Sequence, residues 1–195
     1  MNVLVISGSR NPNGQTAQAA NALIQGITDS GNQADQVFIP QVNIERCRQC
    51  EDNGWGACVK EGRCVIEDDF SMIVEKVRSA DAIVFTTPVY FGDLSESLRA
   101  FLDRLRRVCR IEAGQTGISD KPVIGICVAG GSGGGAPSCV ASLEKTLIHC
   151  NFDVVDMIPV KRQNLDMKME VLRSIGKWLI SCCSAINQTN RTSLL

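Results

Sequence analysis

Short apolar runs alternate along the chain with longer stretches in which apolar residues return every three or four positions. NVLVIS (2–7), ADQVFIP (34–40), DAIVFTTPVY (81–90), KPVIGICVAGG (121–131) and FDVVDMIPV (152–160) are nearly continuous in apolar character and rich in β-branched residues. Runs of that kind predict strands buried on both faces. TAQAANALIQGITDSG (16–31), EDDFSMIVEKVRSA (67–80), SLRAFLDRLRRV (97–108), PSCVASLEKTLIHC (137–150) and MKMEVLRSIGKWLISCCSAI (167–186) predict helices. In the second of these, positions 70, 73, 74 and 77 share one helical face, and its acidic start suits a helix N-terminus. Five strand–helix repeats predict an α/β fold with a doubly wound parallel sheet, which binds ligands outside the carboxyl ends of its strands. One domain is expected over 1–186, interrupted by a long irregular stretch at 41–66, with 187–195 a loose tail.

Composition narrows the function classes. With 195 residues, 44% hydrophobic and 21% charged, the chain suits one globular domain with a sizeable core. A formal net charge of −1 gives no reason to expect nucleic acid or an anionic membrane surface as partner. No apolar run approaches the roughly 20 residues of a membrane span. MNVLVISGSR lacks the basic start and the apolar length of a secretory signal. A cytoplasmic setting is therefore expected, where stable disulfides are rare.

Three loops follow strand ends. SGSRNPNGQT (7–16) offers backbone N–H groups and the hydroxyls of Ser7, Ser9 and Thr16 to an anion, helped by the helix N-terminus that follows. It lacks the GxxxxGK[ST] pattern of nucleoside triphosphate loops, and a tight turn with an N-cap explains the same residues. TTPVYFGDLS (86–95) puts Pro88, Tyr90 and Phe91 at a strand end beside Gly92, facing a ligand, an interface, or plugging the sheet edge. VAGGSGGGAPS (128–138) holds five glycines in eight residues, which implies a backbone that approaches something closely or moves. Its formal G-x-G-x-x-[GA] match at 131–136 follows the fourth strand rather than the first, so it does not indicate a dinucleotide fold. Together the loops describe a cradle for a phosphorylated, flat, uncharged ring.

CRQCEDNGWGACVKEGRC (47–64) carries four of the ten cysteines, Cys47, Cys50, Cys58 and Cys64. A disulfide framework, a metal or iron–sulfur site, and loop packing are open for them. The other cysteines read as small buried hydrophobes, with Cys139, near the glycine loop, the one to watch. The single histidine, His149, sits near a helix end, so a Cys–His nucleophile system is not expected.

VISGSRNPNGQT and DAIVFTTPVYFGDLSESLRAFLDR resemble the phosphate loop and second signature of the NADPH-dependent FMN reductase and iron–sulfur flavoprotein families. The cysteine run leading into VIEDDF resembles their C-x-x-C…C…D-D segment. The resemblance spans residues 1 to about 160 and is most specific over PVY…FLDR. It implies a flavodoxin-like sheet of order 2-1-3-4-5 and a bound FMN. Ser7, Ser9, Arg10, Asn13, Gly14, Gln15 and Thr16 would surround its phosphate. Pro88, Val89, Tyr90, Phe91 and Gly92 would meet the isoalloxazine, with Ala129, Gly130, Gly131 and Ser132 on its other side. The family often has Pro at Arg10, Asn at Gln15 and Lys at Arg99, which bears on side-chain roles but not on backbone donors.

The implied activity is FMN-dependent oxidation of NAD(P)H with a quinone, flavin or similar acceptor, and no acid–base residue is needed. The family's cysteine spacing is more compact than the x2, x7, x5 found here. A [4Fe–4S] cluster on Cys47, Cys50, Cys58 and Cys64, a cluster-free loop of free or reversibly oxidised thiols, zinc, and a disulfide all remain open. With a cluster, the protein would carry electrons between a ferredoxin-like redox protein and FMN. Without one, the loop would cover the flavin or build a subunit contact, with Trp55 and the 97–108 helix as candidates. Relatives imply a homodimer or homotetramer. A flavodoxin-fold regulatory protein that has lost its cofactor is the alternative from another class.

Overall fold

In the computed structural model of the protein, residues 1–109 and 117–192 are described, with side chains through Cys183. The strands are β1 (Asn2–Ser7), β2 (Gln33–Phe38), β3 (Ala82–Pro88), β4 (Pro122–Ala129) and β5 (Asp153–Lys161). The helices are α1 (Gln15–Asp29), α2 (Ala57–Glu61), α3 (Phe70–Ser79), α4 (Glu96–Val108), α5 (Ala136–His149) and α6 (Leu165–Thr192). The strands pair in parallel in the order β2-β1-β3-β4-β5. This is the expected doubly wound sheet, with its switch point between β1 and β3.

Alternation along the strands divides the interior into two cores. Leu4, Ile6, Ile83, Phe85, Val123 and Cys127 face α3, α4 and α5. Val3, Val5, Ala82, Val84, Ile124, Ile126 and Val128 face α1 and α6. The central strands β1, β3 and β4 are buried almost throughout, which accounts for their unbroken apolar sequences. The edge strand β2 alternates between exposed and half-buried positions over QADQ.

Helices α1 and α6 meet at two glycines. A Cβ on Gly176 would press into the Leu23 carbonyl oxygen, and one on Gly26 into the Arg173 carbonyl. Because both obstacles are backbone, neither helix can yield by a rotamer change. Gly176→Val is expected to destabilise the protein by about 1–3 kcal/mol through overpacking, read as a lower urea midpoint. An unchanged midpoint would mean the helices do not cross there.

Three boundaries differ from the sequence reading. The closing helix continues to Thr192, through most of the stretch read as a loose tail. Helix α3 begins at Phe70, not in the acidic run before it. Asp68 instead turns inward to Arg104, while its Oδ1 also accepts the Phe70 N–H at 3.1 Å. The stretch after β2 contains a 3-10 turn at Ile39–Gln41 and the short helix α2, closed by Gly62 in the left-handed conformation.

Candidate functional site

The three strand-end loops meet in one hollow of about 390 Å3. It is lined by Gln15 and Thr16 from α1, Pro88 at the end of β3 with Val89 and Tyr90 after it, and Val128 and Ala129 at the end of β4 with Gly130, Gly131 and Gly134 after it. That volume lies in the range of small-molecule sites. The β3 and β4 loops are held together directly. The Val89 N–H donates to the Val128 carbonyl at 2.9 Å. A Cβ on Gly135 would come within 2.7 Å of Gly92 Cα, so the glycine at 135 permits this approach. Tyr90 and Asp93 exchange backbone hydrogen bonds at 2.9 Å each way, and Asp93 also pairs with Arg99 of α4.

The first loop is braced from within. Ser7 Oγ accepts the Ser9 N–H at 3.2 Å, Ser9 Oγ accepts the Asn11 N–H at 3.3 Å, and Asn11 Oδ1 accepts the Asn13 N–H at 2.9 Å. The N-cap of α1 is Gly14, which has no side chain to cap with. The N–H groups of Gln15, Thr16 and Ala17 consequently have no hydrogen-bond partner among the described residues. Such a helix start attracts an anion. Gln15 reaches across to the third loop, where its Oε1 would lie 3.6 Å from a Cβ on Gly130.

Of the residues expected around a flavin, Gln15, Thr16, Pro88, Val89, Tyr90, Ala129, Gly130 and Gly131 line this hollow. Ser7, Ser9, Arg10, Asn13, Gly14, Phe91, Gly92 and Ser132 do not. Ser7 and Ser9 are buried and brace the loop, and Ser132 Oγ accepts the Gly134 N–H. Phe91 is fully exposed, with φ of 51°. Val128 and Gly134 belong to the lining although the sequence reading did not place them there. Cys139 is fully buried, and it and burial push the neighbouring Cys127 thiol well above the ordinary range, so this pair behaves as core.

A second hollow gathers Cys47, Cys50, Cys58 and Cys64 with Arg48, Arg104 and Arg107. It lies two to three turns along α4 from Ser97, whose hydroxyl meets the Gly8 carbonyl under the first loop. The cysteine segment is pinned to α4. Arg107 Nη1 donates to the Gly54 carbonyl at 2.7 Å, and the guanidinium stacks on Trp55 with 4.6 Å to the ring centroid. Arg104 is buried, donates to the Glu45 carbonyl at 3.0 Å and to both oxygens of Asp68, and stacks over Phe70. Burial opposes the charge of Arg104, but Asp68 and then Cys64 beside it raise its pKa above the usual arginine value. No sequence motif assigned Arg104 or Arg107 to the cysteines. The available signal was an arginine set among Phe101, Leu105 and Val108 on the buried face of α4.

Among the described residues no three His, Cys, Asp or Glu side chains are grouped to hold a single metal ion. The free space between the thiols is about 20 Å3, room for about one water. Zinc would require the thiolates to converge on one point. A cubane cluster places each thiolate on its own iron, so four thiols around one hollow match it in kind. The segment would have to open outward to admit it.

A parallel sheet of order 2-1-3-4-5, with a hollow at the carboxyl ends beside its switch point, defines the flavodoxin-like class of doubly wound proteins. The family described as NADPH-dependent FMN reductase matches residues 1–165, and the chain belongs to that family of oxidoreductases. An iron-sulfur flavoprotein of Methanocaldococcus jannaschii is 28% identical over 193 residues, covering 91% of this chain and 94% of the relative. An iron-sulfur flavoprotein of Methanosarcina thermophila is 31% identical over 147 residues, covering 74% and 71%. A solved NAD(P)H:quinone oxidoreductase from Methanothermobacter marburgensis shares the fold, with a TM-score of 0.69 at 18% identity over 92% of this chain and 96% of that one. Among the described residues no helix is long and apolar enough to cross a membrane.

Proposed function

We propose that the protein is an FMN-dependent NAD(P)H oxidoreductase whose acceptor is a quinone, a flavin or a similar small redox compound. The observation that carries this reading is the single hollow shared by Thr16, Tyr90 and Gly131. The uncapped N–H groups of Gln15, Thr16 and Ala17 would hold the FMN phosphate, reinforced by the helix dipole. Pro88, Val89 and Tyr90 would form the apolar wall against the ring. Gly130 and Gly131 leave bare backbone on the other side, where a side chain would occupy the ring's place. The chemistry FMN supplies when bound is hydride acceptance from NAD(P)H and onward transfer of the electrons. The chain's own part is to bind, orient and exclude water, with no acid or base required of it. A homo-oligomer belongs to this reading, and Phe91, exposed beside the hollow, is the residue we place toward a second subunit.

The reading predicts a yellow protein after reconstitution with FMN, which oxidises NAD(P)H when a quinone is supplied. Failure to retain FMN, or retention without any NAD(P)H oxidation, would overturn it.

A second reading has its own observation. Four thiols line one hollow beside Arg104 and Arg107, and relatives over most of the chain are named iron-sulfur flavoproteins. On that reading Cys47, Cys50, Cys58 and Cys64 hold a [4Fe–4S] cluster, and the electrons pass between FMN and a redox protein. Iron and sulfide analysis after anaerobic purification separates the two.

A further inference from the structure

We propose that Arg104 and Arg107 are positioning residues of the four-cysteine site, their Nε–H groups donating to its sulfur atoms when the site is loaded with an iron–sulfur cluster. The inference rests on the cluster reading above and adds two residues of α4 to it.

Both Nε–H groups are buried and lack a hydrogen-bond partner among the described residues. A buried donor left unpaired is destabilising, so such groups ordinarily have a partner in the functional state. The two arginines stand three residues apart, hence on one face of α4, and both border the hollow that the four thiols border. Nη1 and Nη2 of Arg104 both donate to Asp68, and Nη1 also to the Glu45 carbonyl, which holds its guanidinium in a fixed plane with the Cys64 side chain beside it. Arg107 is held by the Gly54 carbonyl and Trp55, and it has no carboxylate partner among the described residues.

The charges differ in a way that suits an anionic occupant. Asp68 balances Arg104, and Glu45 balances Arg48, but among the described residues no carboxylate pairs with Arg107. A cubane carried by four thiolates is anionic and gains a further negative charge on reduction. A nearby guanidinium therefore favours the reduced form and raises the reduction potential, as hydrogen bonds to the sulfurs do. Residues that orient the ligands of a metal site typically change metal affinity by 10–100-fold when altered.

The test compares wild type with Arg107→Gln, Arg107→Lys and Arg104→Lys, each reconstituted anaerobically with ferrous iron and sulfide. Iron and sulfide content, the midpoint potential from a mediated titration, and the half-life of the cluster against a chelator are measured, with circular dichroism confirming the fold. Wild type is expected to take up iron and sulfide together. Arg107→Gln is expected to have a more negative potential and to lose iron about tenfold faster. Arg107→Lys, which keeps the charge without the Nε–H, is expected to recover the potential in part and the half-life less. Arg107 is the informative position if Arg104→Lys fails to fold, because it lacks the buried ion pair. If Arg107→Gln keeps the wild-type potential and half-life, the inference is overturned while the cluster reading stands. If wild type itself takes up neither iron nor sulfide, the cluster reading fails and the inference with it.

Discussion

Asp68→Ala is expected to destabilise the protein by about 3–5 kcal/mol, because it removes one partner of a buried ion pair and leaves the other charged. The Asp68 and Arg104 side chains are 0% and 1% exposed. The substitution also removes acceptors from the Glu45 and Phe70 N–H groups. The double change Asp68→Leu with Arg104→Met should recover most of the loss, since an apolar pair of similar volume is often neutral in place of a buried ion pair. Urea denaturation of the single and double variants provides the measurement. Equal losses in both would show that the penalty is not an unpaired charge.

The same pair predicts a pH dependence. Burial pushes the Asp68 carboxyl upward, but hydrogen bonds from Arg104 and from the Glu45 and Phe70 N–H groups outweigh it and hold the pKa below the ordinary value. A carboxyl with a depressed folded-state pKa contributes stability above its unfolded value of about 3.9, and that contribution is lost as the pH falls through the folded value. Wild-type stability should therefore decline on acidification below about pH 4. The Asp68→Ala variant should lack this component of the decline, and equal slopes for the two proteins would exclude it.

Gly130→Val tests the first hollow with little effect on the fold. Gly130 does not have a positive φ, and a Cβ there meets only Gln15 Oε1, at the ordinary contact distance of 3.6 Å. The added methyl groups would enter the space assigned to the flavin ring. FMN affinity is expected to fall about a hundredfold, equivalent to ~2.7 kcal/mol, with the thermal midpoint of the ligand-free protein nearly unchanged. Isothermal titration with FMN checks this. Wild-type affinity in the variant would place the ring elsewhere.

The sheet was legible in the sequence because a strand buried on both faces has to be apolar throughout. VLVI, AIVF and VIGICV leave little other reading. Boundaries were less legible. Glu67, Asp68 and Asp69 have the composition of a helix start, and only the arrival of Arg104 shows that Asp68 belongs to the interior. The first loop showed the same difficulty. Its serines offered hydroxyls to a phosphate as readily as to a turn, and Ser7 and Ser9 brace the turn.

Local order therefore follows from residue type and period: five strands, the helices that cover them, and glycine where backbones must approach. Which side chains share a site does not follow from these. Thr16, Tyr90 and Gly131 are separated by dozens of residues and become neighbours only because parallel strands align their carboxyl ends. Arg104 and Arg107 come to the cysteines because an amphipathic helix must bury one face, and the segment after β2 covers the end of that face. Neither proximity is written in spacing along the chain, since each arises from burying apolar surface that only the assembled sheet provides.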